Sequence, residues 1–234
     1  MMPAVDSLET QHMETAEACI RLGQTAQQRG DAERAALWFA RAVAHAPDSA
    51  PHHVHLGDLF HEAGQLKEAA LCYEEALRLD PAQAEVANRM ANALSRAGYT
   101  GDAIGLYLQA LKADPEHADA YANLGNLLRR LGHFQEAVAC CREALRLAPD
   151  DAEAWNNLGN AFTDADRFGE AVASYAEAAA RRPDAPIPFA NLANALRLAG
   201  RLEDAREAAG RALKLAPGDP LVEAVAEACT KGDC

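Results

Sequence analysis

The sequence predicts an all-α architecture built from repeated helix pairs, and three observations carry that prediction. Prolines stand at 47, 81, 115, 149, 183 and 217, each 34 residues beyond the last. A small residue recurs on the same period at Gly23, Gly57, Ala91, Gly125, Gly159 and Ala193. Alanine recurs twice per period, at Ala35, Ala69, Ala103, Ala137, Ala171 and Ala205 and again seven residues later from Ala42 to Ala212. A fixed period without insertions marks a stack of like units, each needing its neighbours to bury its apolar face, rather than one globular core. The repeats run 16–49, 50–83, 84–117, 118–151, 152–185 and 186–219. Residues 1–15 are expected to form an N-terminal helical extension and 220–234 a capping helix and tail.

Repeat positions are counted here from 1 at residues 16, 50, 84, 118, 152 and 186. In the first half of each repeat, positions 4, 7, 8 and 11 carry the packing residues, as in Tyr121, Leu124, Gly125 and Leu128 or Trp155, Leu158, Gly159 and Phe162. That is the i, i+3, i+4, i+7 stripe of an amphipathic helix. The small eighth residue lets a partner helix approach closely. In the second half, position 24 holds Phe39, Tyr73, Tyr107, Cys141, Tyr175 and Ala209 between the two alanines, so that small and bulky residues interdigitate. Cys141 and Ala209 are expected to leave thinner packing.

The turn inside each pair falls on Gly30, Gly64, Gly98, Gly132, Asp166 and Gly200, where a left-handed residue ends a helix; Asp tolerates that conformation better than most side chains. The periodic prolines end the second helices, because the residue before proline is pushed out of the α region. Glu68, Asp102, Glu136, Glu170 and Asp204 fall in the first turn of a second helix, where the macrodipole favours acids. At the ends, Asp6 and Glu9 have capping-box spacing, and Pro220 suits the first turn of a closing helix bearing Leu221, Val222, Val225 and Cys229. Pro186 and Pro188 are expected to interrupt the first helix of the sixth repeat and make that repeat fray first.

With 22 Lys and Arg against 35 Asp and Glu, the formal net charge is -13. That balance speaks against nucleic acid and anionic membrane as partners. No window approaches the apolar length of a membrane span, and the start has no basic region leading into an apolar stretch, so a soluble cytoplasmic protein is expected. The 6 cysteines show no CxxC spacing and read as reduced thiols, with no zinc site; Cys234 is the one most exposed to crosslinking. His52, His53, His55 and His61 lie near Asp58 and Glu62, but His53 occupies a packing position and His55 and His61 are six apart, so no metal is expected. No phosphate loop, nucleophile elbow or carboxylate dyad appears, and neither enzymatic activity nor a cofactor is expected.

These residues resemble the tetratricopeptide-repeat (TPR) signature, W-x2-L-G-x2-Y, A-x3-F and P, over positions 16 to 219, about seven-eighths of the chain. The resemblance implies a TPR solenoid, a right-handed superhelix of antiparallel helix pairs whose first helices line a concave groove through positions 2, 5, 6, 9, 12 and 13. Position 6 reads Arg21, His55, Arg89, Asn123, Asn157, Asn191, and position 9 reads Gln24, Asp58, Asn92, Asn126, Asn160, Asn194. Asparagine is about 0.6 kcal/mol worse than alanine inside a helix, which points to a role outside folding. Its side chain offers one acceptor and two donors to the backbone of an extended peptide. First helices about 10 Å apart would meet roughly every third residue of a chain advancing about 3.3 Å per residue.

The runs Ala122 to Asn126, Asn156 to Asn160 and Ala190 to Asn194 resemble the asparagine-lined repeats of O-linked N-acetylglucosamine transferase, in which the column binds peptide backbone. The resemblance is most specific for Asn123, Asn157 and Asn191; the first three repeats depart from it at position 6, and no transferase domain is present. A carboxylate clamp fits less well, because Asn88, Glu153 and Ile187 stand where that family wants Lys or Arg. Arg89, Arg96, Arg129 and Arg130 are expected on the same wall as an anchor for an acidic stretch. The leading expectation is a module binding an extended partner segment, acting as a monomer or weak homo-oligomer. A self-assembling scaffold, or the targeting arm of a glycosyltransferase system, is the alternative; on a purely structural reading the asparagines bond one another or hold water across the wall.

Overall fold

The computed structural model describes residues 15–231, so the expected opening helix around Asp6 and Glu9, and Cys234, lie outside the described residues. The described residues are all-α, with the helices α1 (Ala16–Gln28), α2 (Ala32–His45), α3 (Ala50–Glu62), α4 (Leu66–Leu79), α5 (Ala84–Arg96) and α6 (Thr100–Ala113) in the first three repeats. They continue as α7 (Ala118–Arg130), α8 (Phe134–Leu147), α9 (Ala152–Asp164), α10 (Phe168–Arg181), α11 (Pro186–Leu198), α12 (Leu202–Leu215) and α13 (Pro220–Lys231). The chain divides between Pro115 and Glu116 into two compact units. α1–α6 make the first and α7–α13 the second. Within each unit the helices of a pair pack together, and the second helix also packs on the first helix of the next repeat.

Each pair is joined by the same turn. Gly30 N–H donates to Gln27 O at 2.9 Å and Asp31 N–H to Ala26 O at 2.9 Å, which closes the α1 carbonyl ends in a Schellman motif. The longer bond of that motif recurs from Gln65 to Phe60, Tyr99 to Leu94, His133 to Leu128, Arg167 to Phe162 and Arg201 to Leu196. Its pivot needs a positive φ, which is +75° at Gly30 and +57° at Asp166, the one non-glycine residue with positive φ among the described residues. The left-handed region costs an L-residue about 1–2 kcal/mol, less for Asp. Asp166→Gly is therefore expected to raise stability by roughly 0.5–1 kcal/mol, read as a higher denaturation midpoint; an unchanged or lower midpoint would contradict this.

Aromatic rings at position 24 fill the space opened by the small eighth residue. Phe39, Tyr73, Tyr107 and Tyr175 are buried, and a methyl group added to Gly57 would sit 2.7 Å from the Tyr73 ring. The two expected thin spots are closed in different ways. At Cys141 the helices themselves approach: a Cβ on Gly125 would lie 3.0 Å from the Cys141 sulfur and 3.2 Å from the Ala137 carbonyl. At Ala209 the gap is shared with α13, whose Cys229 is fully buried in one cluster with Ala193, Leu196, Ala205 and Ala209. Burial pushes the Cys141 thiol up to about 12, which leaves it an inert packing group.

The start of the sixth repeat departs from expectation. Pro186 and Pro188 do not interrupt α11; they occupy its first turn, where the N–H groups have no intrahelical acceptor and proline loses nothing. The closing helix begins at Pro220, and Asp219 caps it by accepting from Leu221 N–H at 2.9 Å and Val222 N–H at 3.2 Å. Val222 and Cys229 are buried there, whereas Leu221 points outward at 55% exposure.

Candidate functional site

The first helices present their polar side chains on the face opposite the packing stripe, as the 100° rotation per residue requires. In the first unit α1, α3 and α5 are cross-linked on that face. Gln27 donates to Glu62 at 2.6 Å, Arg89 to Asp58 at 2.5 Å and Arg96 to His61 at 2.9 Å. Gln27, Asp58, His61, Glu62 and Asn92 line a cleft of about 350 Å³ among these bonds.

From the second repeat to the sixth, the ninth residue shows a rule that its position alone does not. The Tyr73 hydroxyl donates to Asp58 Oδ1 at 2.8 Å, Tyr107 to Asn92 Oδ1 at 2.6 Å and Tyr175 to Asn160 Oδ1 at 2.8 Å. A carboxylate can only accept, so the Asp58 contact identifies the phenol as donor. Burial, reinforced by the bond to Asp58, pushes the Tyr73 phenol well above its ordinary range and keeps it protonated. In the fourth and sixth repeats, where position 24 is Cys141 or Ala209, an arginine at position 12 takes that part: Arg129 donates to Asn126 Oδ1 at 3.4 Å and Arg197 to Asn194 Oδ1 at 3.0 Å. Guanidinium has no acceptor, so the facing amide atom must be oxygen. In all four asparagines the carbonyl is thus engaged inside its own repeat, and the NH2 group is turned away from that partner.

The sixth positions behave differently. Asn191 Nδ2 donates to Asn156 Oδ1 at 2.8 Å, a bond between α11 and α9. Asn123 also has a partner, while Asn157 is half-buried and makes no side-chain hydrogen bond among the described residues. Asn88 is buried at 4% exposure and does not line the wall.

Two of the four arginines expected as an anchor are in ion pairs across repeats. Arg89 is held by both Asp58 and Glu85. Arg96 is committed to His61, and Arg129 bridges to Asp164 at 2.5 Å. Arg130 is exposed and has no ion pair among the described residues. Two of the four charges, on Arg89 and Arg129, are therefore neutralised by carboxylates of a neighbouring repeat. His53 has a structural role as well: its Nε2 lies 2.9 Å from the Pro47 carbonyl, the place that the Trp155 indole N–H takes on the Pro149 carbonyl. Among the described residues no group of histidine, cysteine and carboxylate side chains is arranged to hold a metal, and no helix is long and apolar enough to cross a membrane.

His61 gives the first unit a pH dependence of known sign. Because Arg96 can only donate, the facing ring nitrogen accepts and the imidazole is neutral. Burial, then the Arg96 charge, holds the His61 pKa below the ordinary histidine value; burial lowers His52 too. The neutral ring is favoured in the fold, so this contribution is fully present above the unfolded value of about 6.5. It is lost as the pH falls through the depressed folded value. Amide protection in α3 and α5 is expected to decrease between about pH 7.5 and 5, and His61→Gln to reduce that dependence. Protection that stays flat or rises on acidification would contradict the assignment.

The repeats match what is known of other proteins. A family model for the tetratricopeptide repeat matches residues 88–152, 122–186 and 156–220, together more than half of the chain, and a second TPR model matches 57–98. The chain belongs to the tetratricopeptide-repeat family, whose members generally mediate protein–protein interactions. No curated protein sequence matches it. Among solved structures it is similar to PilW, described as a widely conserved type IV pilus biogenesis factor, with 18% identity and a TM-score of 0.81 over 90% of this chain and 97% of that one. PilF of Pseudomonas aeruginosa is 21% identical with a TM-score of 0.74 over 89% and 95%. YrrB, described as a TPR protein with an unusual peptide-binding site, is 22% identical with a TM-score of 0.64 over 81% and 97%. At these identities the likeness is one of fold.

Proposed function

We propose that this chain is a protein-interaction module that receives an extended segment of a partner along the wall of first helices, without catalytic chemistry of its own. The observation that carries the reading is the fixed orientation of the ninth-position amides. With the carbonyls of Asn126, Asn160 and Asn194 tied to Arg129, Tyr175 and Arg197, the N–H groups are held in place before a ligand arrives. A donor ordered beforehand loses less freedom on binding. Backbone carbonyls of a peptide are the matching acceptors at every residue, whatever the side chains. Asn123 and Asn157 extend the same reading to the sixth positions, in keeping with the resemblance to asparagine-lined repeats. A preference for acidic ligands rests on Arg130 and on Arg96, whose partner His61 is neutral.

Panning the full chain against a library of random peptides tests this reading. Binders whose affinity tolerates side-chain changes but falls when single backbone amides are replaced by thioamides, whose sulfur is a weaker acceptor than the carbonyl oxygen, support it. Failure to enrich any peptide above background overturns it. Self-assembly is the competing reading, favoured by the exposed Leu37 and Leu71. Light scattering across a concentration series separates the two, a constant monomer mass counting against assembly.

A further inference from the structure

In the second unit a slot of about 420 Å³ opens behind α9, on the side away from Asn157 and Asn160. Trp155, Leu158 and Phe162 form its floor, α8 and α10 its walls, and the lining is mainly apolar. The opening follows from two small residues at positions 22 and 23 of the fifth repeat, Ala173 and Ser174; the second repeat has Leu71 and Cys72 at these positions. The charges at the mouth are not balanced. Arg146 is paired with Glu143 and Glu170 with Arg167, which also lies 4.7 Å from the centre of the Phe162 ring; Arg142, 5.7 Å from the same ring, helps to lower the Glu170 pKa but makes no ion pair of its own among the described residues, so these groups leave one positive charge in excess.

We propose that this slot is a second binding site, independent of the amide wall, for an acidic segment of a partner protein. A bulky apolar side chain of that segment rests on Trp155 and Phe162, and a neighbouring carboxylate meets Arg142. Apolar burial supplies most of the affinity and the arginine selects the charge.

The test uses the full chain labelled with ¹⁵N. It has 2 tryptophans, so the indole N–H signal of Trp155 reports the slot and that of Trp38 serves as an internal control. The probe is the end-blocked peptide acetyl-Gly-Ser-Phe-Asp-Gly-Ser-amide. The Trp155 signal is expected to move saturably while that of Trp38 stays still. Asparagine in place of the peptide aspartate weakens binding roughly threefold to fivefold, the scale of an exposed ion pair. Alanine in place of its phenylalanine weakens binding at least about tenfold. Ala173→Leu, at an exposed site, fills the slot and removes binding; Arg142→Gln, also exposed, abolishes the preference for aspartate but keeps the apolar part. A still Trp155 signal at millimolar peptide, equal movement of Trp38, no preference for aspartate, or unchanged binding by Ala173→Leu overturns the proposal. So does affinity that weakens as protein concentration rises, since a second copy of the chain would then be the occupant.

Discussion

Replacing Asn126, Asn160 and Asn194 together by alanine is expected to weaken binding of a library-selected peptide roughly 10- to 1,000-fold. Each lost amide removes a hydrogen bond worth about 0.5–1.5 kcal/mol net, and three such losses span that range. The fold is expected to change little. Each substitution gives up one hydrogen bond from Arg129, Tyr175 or Arg197, but alanine is the better helix former by about 0.6 kcal/mol per site. Asn191→Ala is the instructive contrast, because it removes the bond to Asn156 that joins α11 to α9. That variant should loosen the sixth repeat, seen as faster hydrogen exchange in α11. Normal peptide affinity in the triple variant, with earlier melting, would mean that the ninth-position amides serve the fold alone.

Gly159→Ala is expected to lower stability by up to about 2 kcal/mol, although alanine in a helix is worth about 1 kcal/mol more than glycine. The new Cβ would lie 2.6 and 2.7 Å from two carbons of the Tyr175 ring. That ring has no easy escape, being 3% exposed and tied through its hydroxyl to Asn160 at 2.8 Å and Thr163 at 3.2 Å. Overpacking of this kind costs about 1–3 kcal/mol, and it outweighs the propensity gain. Gly169→Ala makes the same chemical change in α10, with nothing within 4 Å of the added Cβ, and should raise stability by about 0.5–1 kcal/mol. Because a repeat protein opens locally, the pair is best read by hydrogen exchange in α9 and α10 alongside the melting curve. Equal signs for the two variants would contradict the packing described for Tyr175.

The helices and turns were legible because the features that set them are local and repeat. Gly30 and its equivalents, Pro47 and its equivalents, and the alternation of Gly159 with Tyr175 each act within one repeat, and every copy repeats the message. Asp166 was legible for the same reason, as the one departure at a position whose backbone demand is otherwise met by glycine. Pro186 and Pro188 were misread because proline has a different meaning in the first turn of a helix than inside it, and residue spacing alone does not say which applies. The ion-pair partners of the arginines are not legible in the sequence because they lie one repeat away: Arg89 on Asp58 and Arg129 on Asp164 are pairings across 31 and 35 residues.

The ninth-position rule was present in the sequence but spread over two helices. Tyrosine at position 24 accompanies Asp58, Asn92 and Asn160 at position 9, and arginine at position 12 accompanies Asn126 and Asn194. Positions 9, 12 and 24 taken together give the side-chain oxygen a dedicated donor in the second to sixth repeats; Gln24, with Gln27 and Phe39 at those positions, lies outside the rule.

Whether these oriented amides meet a peptide backbone is read most directly from the side-chain NH2 signals of asparagine. In the ¹⁵N-labelled full chain, saturating a library-selected peptide should move the NH2 signals of Asn126, Asn160 and Asn194, with slowed exchange of their protons against water. The signal of buried Asn88 should stay in place. If the three signals remain unmoved while the peptide is bound, the amides do not touch it and the proposed mode of binding is wrong.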